Sequence, residues 1–135
     1  MAGERIAALA AVVVLGGCQS TEGPATVQSS FVVPAGVERL IHQDYDINGD
    51  CSSQGDIVVR VTSPPQHGVI TVRPGTVHPT FPASNTHSAC NSRSVVGKQT
   101  WYRPAPGYVG EDSVAIEVVY PTGHDRTYQI SISVR

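Results

Sequence analysis

Residues 114–134 read VAIEVVYPTGHDRTYQISISV, and this stretch decides the fold. Val114, Ile116, Val118 and Tyr120 alternate with Ala115, Glu117 and Val119, while Tyr128, Ile130, Ile132 and Val134 alternate with Gln129, Ser131 and Ser133. A period of two places one set on one face of a strand, whereas a helix would need apolar residues at three- and four-residue spacings. Between the runs, Pro121, Thr122, Gly123, His124 and Asp125 carry turn chemistry, and Gly123 can supply a positive φ. The stretch predicts a β-hairpin.

Working outward, residues 56–63 (DIVVRVTS), 68–73 (GVITVR) and 98–103 (KQTWYR) read as further strands, with 28–33 and 37–42 as weaker ones. About seven short antiparallel strands punctuated by Gly and Pro predict an all-β sandwich. Trp101 and Tyr102 are neighbours in one strand, so they face opposite sides, and Trp101 is expected to be the central core aromatic. Residues 74–97 show no sustained period and contain Pro79, Pro82 and Cys90. They predict a long loop, which is where partner contacts are expected. The formal charge of −2 gives no basic surface for a nucleic acid.

At the other end of the chain, Arg5 precedes an apolar run from Ile6 to Leu15, too short for the ~20 residues that span a bilayer. It reads as the apolar segment of an export signal. The following Leu15, Gly16, Gly17 and Cys18 resemble the lipobox of bacterial lipoproteins. That resemblance implies a signal peptide over 1–17, lipidation of Cys18 and a membrane partner through the lipid. Gln19, where an Asp would mark inner-membrane retention, implies the outer membrane. Residues 18–26 follow as the lipidated Cys and a polar tether, leaving 27–135 as the folded domain. With Cys18 assigned to lipid, Cys51 and Cys90 are the thiols left in an oxidising compartment, and they are expected to form a disulfide.

Two further segments carry a fold resemblance. Pro64-Pro65-Gln66-His67-Gly68-Val69-Ile70-Thr71-Val72 and Tyr102-Arg103-Pro104-Ala105-Pro106-Gly107-Tyr108-Val109-Gly110-Glu111-Asp112-Ser113-Val114 are similar to bacterial immunoglobulin-like and cadherin-like repeats of exported proteins. The resemblance covers roughly residues 56–135 and implies an immunoglobulin-like sandwich in an extracytoplasmic setting. The same residues make physical sense alone: Pro106-Gly107 suits the centre of a type II turn, and Asp112-Ser113 can bond nearby backbone amides. Tyr108 is expected to pack its ring under the turn with its hydroxyl at the surface.

Candidate chemistry is sparse. Asp44, Asp46, Asn48 and Asp50 alternate ahead of a turn as calcium ligands do, but position twelve of that loop is Gly55 where a carboxylate is needed, so an ordinary polar turn is favoured. His42, His67, His78, His87 and His124 form no local chelating pair. No strand-to-helix nucleophile elbow exists, and Glu111-Asp112 would not flank a bond, so no catalytic residues are assigned and no cofactor is expected. Should Tyr102 face solvent beside Phe81, Arg103 and Tyr108, that group would be the best ligand surface. The function expected is a non-catalytic interaction or structural module of the cell envelope, with a protein or glycan partner. A calcium-dependent adhesion module is the alternative, and an envelope hydrolase the third.

Overall fold

The computed structural model describes Gly17 and residues 25–135; the rest of the leader, Cys18 and most of the tether lie outside the described residues. Seven strands form two sheets. They are β1 (Thr26–Val33), β2 (Arg39–Asp44), β3 (Val58–Ser63), β4 (Gly68–Val77), β5 (Val95–Pro104), β6 (Gly110–Val119) and β7 (Asp125–Val134), with a single 3₁₀ turn at Ser88–Ser92. One sheet has the order β1-β7-β6-β3 and the other β2-β5-β4. No helix among these residues is long and apolar enough to cross a membrane.

The deciding hairpin forms as its period requires. β6 and β7 pair antiparallel from Gly110↔Val134 to Val119↔Asp125, and Val114, Ile116, Val118, Ile130 and Ile132 are fully buried between the sheets. Gly123 closes the turn at φ 89°, and Gly107 takes φ 75° behind Pro106, where a side chain would be strained. The connectivity is immunoglobulin-like: β2-β5-β4 corresponds to strands B-E-D, and β7-β6-β3 to G-F-C.

Three expectations need correction. First, one pair is parallel: β1 lies along β7 from Thr26↔Thr127 to Val33↔Val134. The chain then turns at Pro34–Gly36 and crosses to the other sheet as β2, so no hairpin ties β1 to β7. Second, the loop is shorter than 74–97, because β4 runs through Pro74 to Val77 and meets Val95. Pro74 is accommodated because β4 is an edge strand, where an N–H facing away from β5 is dispensable. Third, Tyr102 is the fully buried core aromatic, while Trp101 is half-buried on the outer face under the Arg73 guanidinium, 5.2 Å from its ring centre.

Tyr102 goes inward because its hydroxyl has a partner there. It donates to Asp112 Oδ2 at 2.8 Å. The same carboxylate accepts the backbone N–H groups of Gln66 (2.9 Å), His67 (3.0 Å) and Ser113 (2.9 Å). One side chain therefore joins the β3–β4 turn, β5 and β6. Beside it the His67 ring stacks on Tyr108 at 4.1 Å, and the Tyr108 hydroxyl donates to the Glu111 carbonyl.

Burial pushes the Asp112 carboxyl up, but the bonds from Tyr102, Gln66, Ser113 and His67 together hold it below the usual carboxylate range. Its folded-state pKa is depressed, so its stabilisation is present above the unfolded value of about 4 and is lost as pH falls through the folded value. Asp112→Ala leaves the turn amides without their acceptor and the buried Tyr102 hydroxyl with only a long 3.4 Å contact to the His67 carbonyl, and is expected to cost about 3 kcal/mol. Denaturant unfolding at neutral pH should show that loss. The same series carried into acid should show the gap to the parent chain narrowing below about pH 4.

Candidate functional site

The β2–β3, β4–β5 and β6–β7 connections emerge at the same end of the sandwich. Asp44 closes β2 opposite Lys98 near the start of β5, and Val119 closes β6 opposite Asp125. Between these connections lies a cleft of about 380 Å³. Its walls include Asp44 and Asp46 from the first segment, Phe81 and His87 from the second, and Tyr120 and His124 from the third.

Each wall is held by identifiable bonds. In the β2–β3 connection, Ile47 bridges to Ser53, and Asn48 N–H donates to the Ser52 carbonyl at 2.8 Å. Cys51 sits at this tip with φ 70°, a left-handed conformation that costs a non-glycine residue about 1–2 kcal/mol. Its disulfide to Cys90, with Cα atoms 5.6 Å apart, is formed as expected. The bond ties the tip to the 3₁₀ turn and buries Cys90 beside Ile47, Val77 and Val95 in a second, small core. Phe81 is fixed by the Asn91 side chain, which accepts its N–H at 2.9 Å and donates to its carbonyl at 2.8 Å. The Phe81 ring then meets Tyr45 edge-on at 5.5 Å.

On the third wall, the Thr122 hydroxyl donates to Asp46 Oδ2 at 3.1 Å and lies 2.7 Å from His124 Nδ1. A hydroxyl has one proton, already given to Asp46, so His124 Nδ1 is the donor in the second bond. The His124 ring stacks on Tyr120 at 4.4 Å.

Behind this wall, Asp44 is almost wholly buried. Its Oδ1 accepts the Tyr120 hydroxyl at 2.9 Å and His42 Nε2 at 3.0 Å, and Tyr128 donates in turn to Tyr120 across 3.2 Å. Burial, then the Tyr128 bond and the Asp44 charge, push the Tyr120 hydroxyl far above its ordinary value, so it serves as a donor at all working pH. Asp44 Oδ2 has no partner among the described residues.

The residues singled out from sequence thus separate into two groups. Asp44, Asp46, Phe81, His87 and His124 converge on the cleft, where topology rather than sequence proximity brings them. Asn48 and Asp50 remain at the exposed tip: Asn48 Nδ2 donates to Ser52 Oγ at 3.0 Å, and Asp50 Oδ1 accepts Ser52 N–H at 3.0 Å. The Ser52 hydroxyl, which also donates to Asp50 Oδ1, and the Ser52 N–H hold the Asp50 carboxyl below its usual value. Among the described residues no group of three or more His, Cys, Asp or Glu is arranged to hold a metal ion.

The proposed aromatic surface is not assembled. Tyr102 is in the core, and Arg103 lies on the outer face of the small sheet, 3.5 Å from Glu38. Tyr108 is in the β5–β6 turn, at the far end of β6 from Phe81. Strand alternation sends Tyr102 and Arg103 to opposite faces, and the ten residues of β6 separate the two ends.

No protein-family model and no curated protein matches this chain. Among solved structures, that of PbICP-C in complex with falcipain-2 aligns with 84% of this chain and 93% of that chain, at 11% identity and a TM-score of 0.33. A superposition at that level transfers neither topology nor function.

Two outcomes follow from this geometry. Replacing both Cys51 and Cys90 with Ser opens a loop closed over a 39-residue separation. Urea unfolding should then show a loss of about 2–5 kcal/mol. Calcium would have to draw Asn48 and Asp50 away from Ser52 and Asp44 out of the interior. Millimolar calcium is accordingly expected to leave the melting temperature unchanged, and a rise would restore the calcium-dependent reading.

Proposed function

We propose that the protein is a lipid-anchored, extracytoplasmic β-sandwich that binds a partner in the cell envelope through its three-loop end and transforms no substrate. The observation that carries this reading is the cleft itself. Three separate connections contribute to it, and a disulfide and side-chain bonds hold two of them against the sandwich. Immunoglobulin variable domains carry two of their antigen loops on the B–C and F–G connections, the counterparts of β2–β3 and β6–β7 here. A loop cluster fixed before the partner arrives loses little entropy on binding, which favours recognition.

The anchor reading rests on Leu15 to Cys18 and on the export expected of a disulfide-bonded chain. β1 begins beside Thr127, and Thr127 N–H donates to the Ala25 carbonyl at 3.2 Å. The chain therefore enters the sandwich at the cleft end. The seven residue-to-residue steps from Cys18 to Ala25 reach at most about 25 Å, so an anchored domain holds its cleft close to the lipid surface. The partner on this reading is itself membrane-proximal. An outer-membrane location, from Gln19, belongs to the same proposal.

Cross-linking in cells followed by capture from detergent-solubilised envelopes tests both parts. The parent chain is expected to retain a partner that Phe81→Ala loses, and Cys18→Ser is expected to move the protein into the soluble exported fraction. Capture indifferent to Phe81→Ala would remove the cleft from the proposal, and an unchanged membrane fraction would remove the anchor.

A further inference from the structure

Within the cleft, the polar groups differ in what they leave open. Asp46 Oδ2 accepts the Thr122 hydroxyl, whereas no side chain bonds Oδ1 among the described residues. Asp44 Oδ2, shut away from solvent, is unpartnered as well. A carboxylate oxygen only accepts, so an entering ligand that bonds Asp46 Oδ1 must donate N–H or O–H, while Asp44 acts on it through its charge. Anionic ligands are disfavoured by the same two residues, whose charges act on the cleft with the weak screening of a partly buried site.

The remaining walls refine the class. Tyr45, Phe81 and Tyr120 present aromatic surface, which attracts a cation over its faces and packs methylene groups. Arg126 is the cation lining the cleft; it is exposed and makes no ion pair among the described residues. Two carboxylates against one guanidinium leave the cleft net negative. Asp46 Oδ2 already takes the Thr122 hydroxyl, so a forked guanidinium would have to share that oxygen, whereas a compact ammonium needs only Oδ1 and is the better match.

From these observations we infer that the cleft binds the ammonium group of a lysine side chain on the partner, with its methylenes along Tyr45 and Phe81 and its charge at Asp46 in the field of Asp44. The inference rests on the reading of the cleft as the binding site and names what that site recognises.

The test is a titration of the detergent-solubilised full chain, followed by amide NMR shifts of the cleft residues. Nα-acetyl-lysine methylamide is compared with its neutral norleucine counterpart, with the arginine analogue, and with ethanolamine and glucosamine as other amine sources. The lysine probe is expected to bind at least about tenfold more tightly than norleucine, and to weaken as salt rises. Asp46→Asn is expected to lower that affinity about tenfold, and Arg126→Gln, which removes the competing cation from an exposed position, to raise it about threefold. Both changes spare the buried Asp44, so loss of folding does not confound them.

Equal binding of norleucine, or no effect of Asp46→Asn, overturns the charge assignment. Tighter binding of arginine, ethanolamine or glucosamine overturns lysine as the source. If no amine shifts the cleft resonances while Phe81→Ala still abolishes partner capture, the lysine inference fails and the cleft remains the binding site. If capture is also indifferent to Phe81→Ala, both fail together.

Discussion

A single carboxylate, that of Asp112, does more to order this sandwich than any one apolar contact. It sits at the start of β6 and receives the hydroxyl of Tyr102 together with the amides of Gln66, His67 and Ser113. The turn leading into β4 and the largest fully buried side chain of β5 are both positioned from this point. Tyr102 reaches across from the small sheet, so the bond also links the two layers. Charge-assisted bonds of this kind are stronger than neutral ones, and a buried carboxylate with its acceptor sites filled has little alternative geometry. The apolar face of the β6–β7 hairpin then has a defined surface to pack against.

At the opposite end, order comes from covalent chemistry and from bonds between loops. The β2–β3 tip has no sheet partner beyond one bridge, and its Cys51 holds a conformation that costs energy. The Cys51–Cys90 bond offsets that cost by restricting the unfolded chain and by tying the tip to the second small core. Asn91 and Thr122 then align the other two walls, one through the Phe81 backbone and one through Asp46 and His124.

The hairpin of residues 114–134 was legible because every second residue of both strands is an apolar side chain turned into the core, while the residues between are mostly polar or small. Elsewhere the pattern is weaker for physical reasons. In β5 the burial phase shifts between Gly97 and Thr100, so the alternation cannot be counted from one end, and adjacency alone says that Trp101 and Tyr102 diverge without saying which turns inward. What decides it is Asp112, ten residues away in sequence. β1 buries only Val33 fully, and nothing in its residues specifies a parallel partner at the far end of the chain. Pro74 reads as a break, yet it lies in an edge strand that tolerates it. The cleft was legible only as separate parts. Asp44 and Asp46 stood out for their spacing, and Phe81 and His87 for their place in or near a loop, but their convergence depends on strand register that composition does not encode.

The contrast between the two ends locates function more sharply than either end alone. Around Asp112 both carboxylate oxygens are bonded, so the cleft of about 380 Å³ beside it, lined by Gln66, Glu111 and Ser113 among others, meets a carboxylate whose acceptor sites are already filled. Around Asp44 one carboxylate oxygen is orphaned, a non-glycine residue is left-handed, and a cleft stays open beside them. The orphaned oxygen and the left-handed residue each cost on the order of 1–3 kcal/mol. The buried hydroxyls of Ser29 and Thr100 also lack partners among the described residues, but they are neutral and lie within strands, whereas the orphaned oxygen of Asp44 belongs to a carboxylate behind an open cleft. In a fold whose net stability is of order 5–15 kcal/mol, an unpaired carboxylate oxygen at that position is what a binding site leaves behind when its groups are arranged for a ligand instead of for the fold.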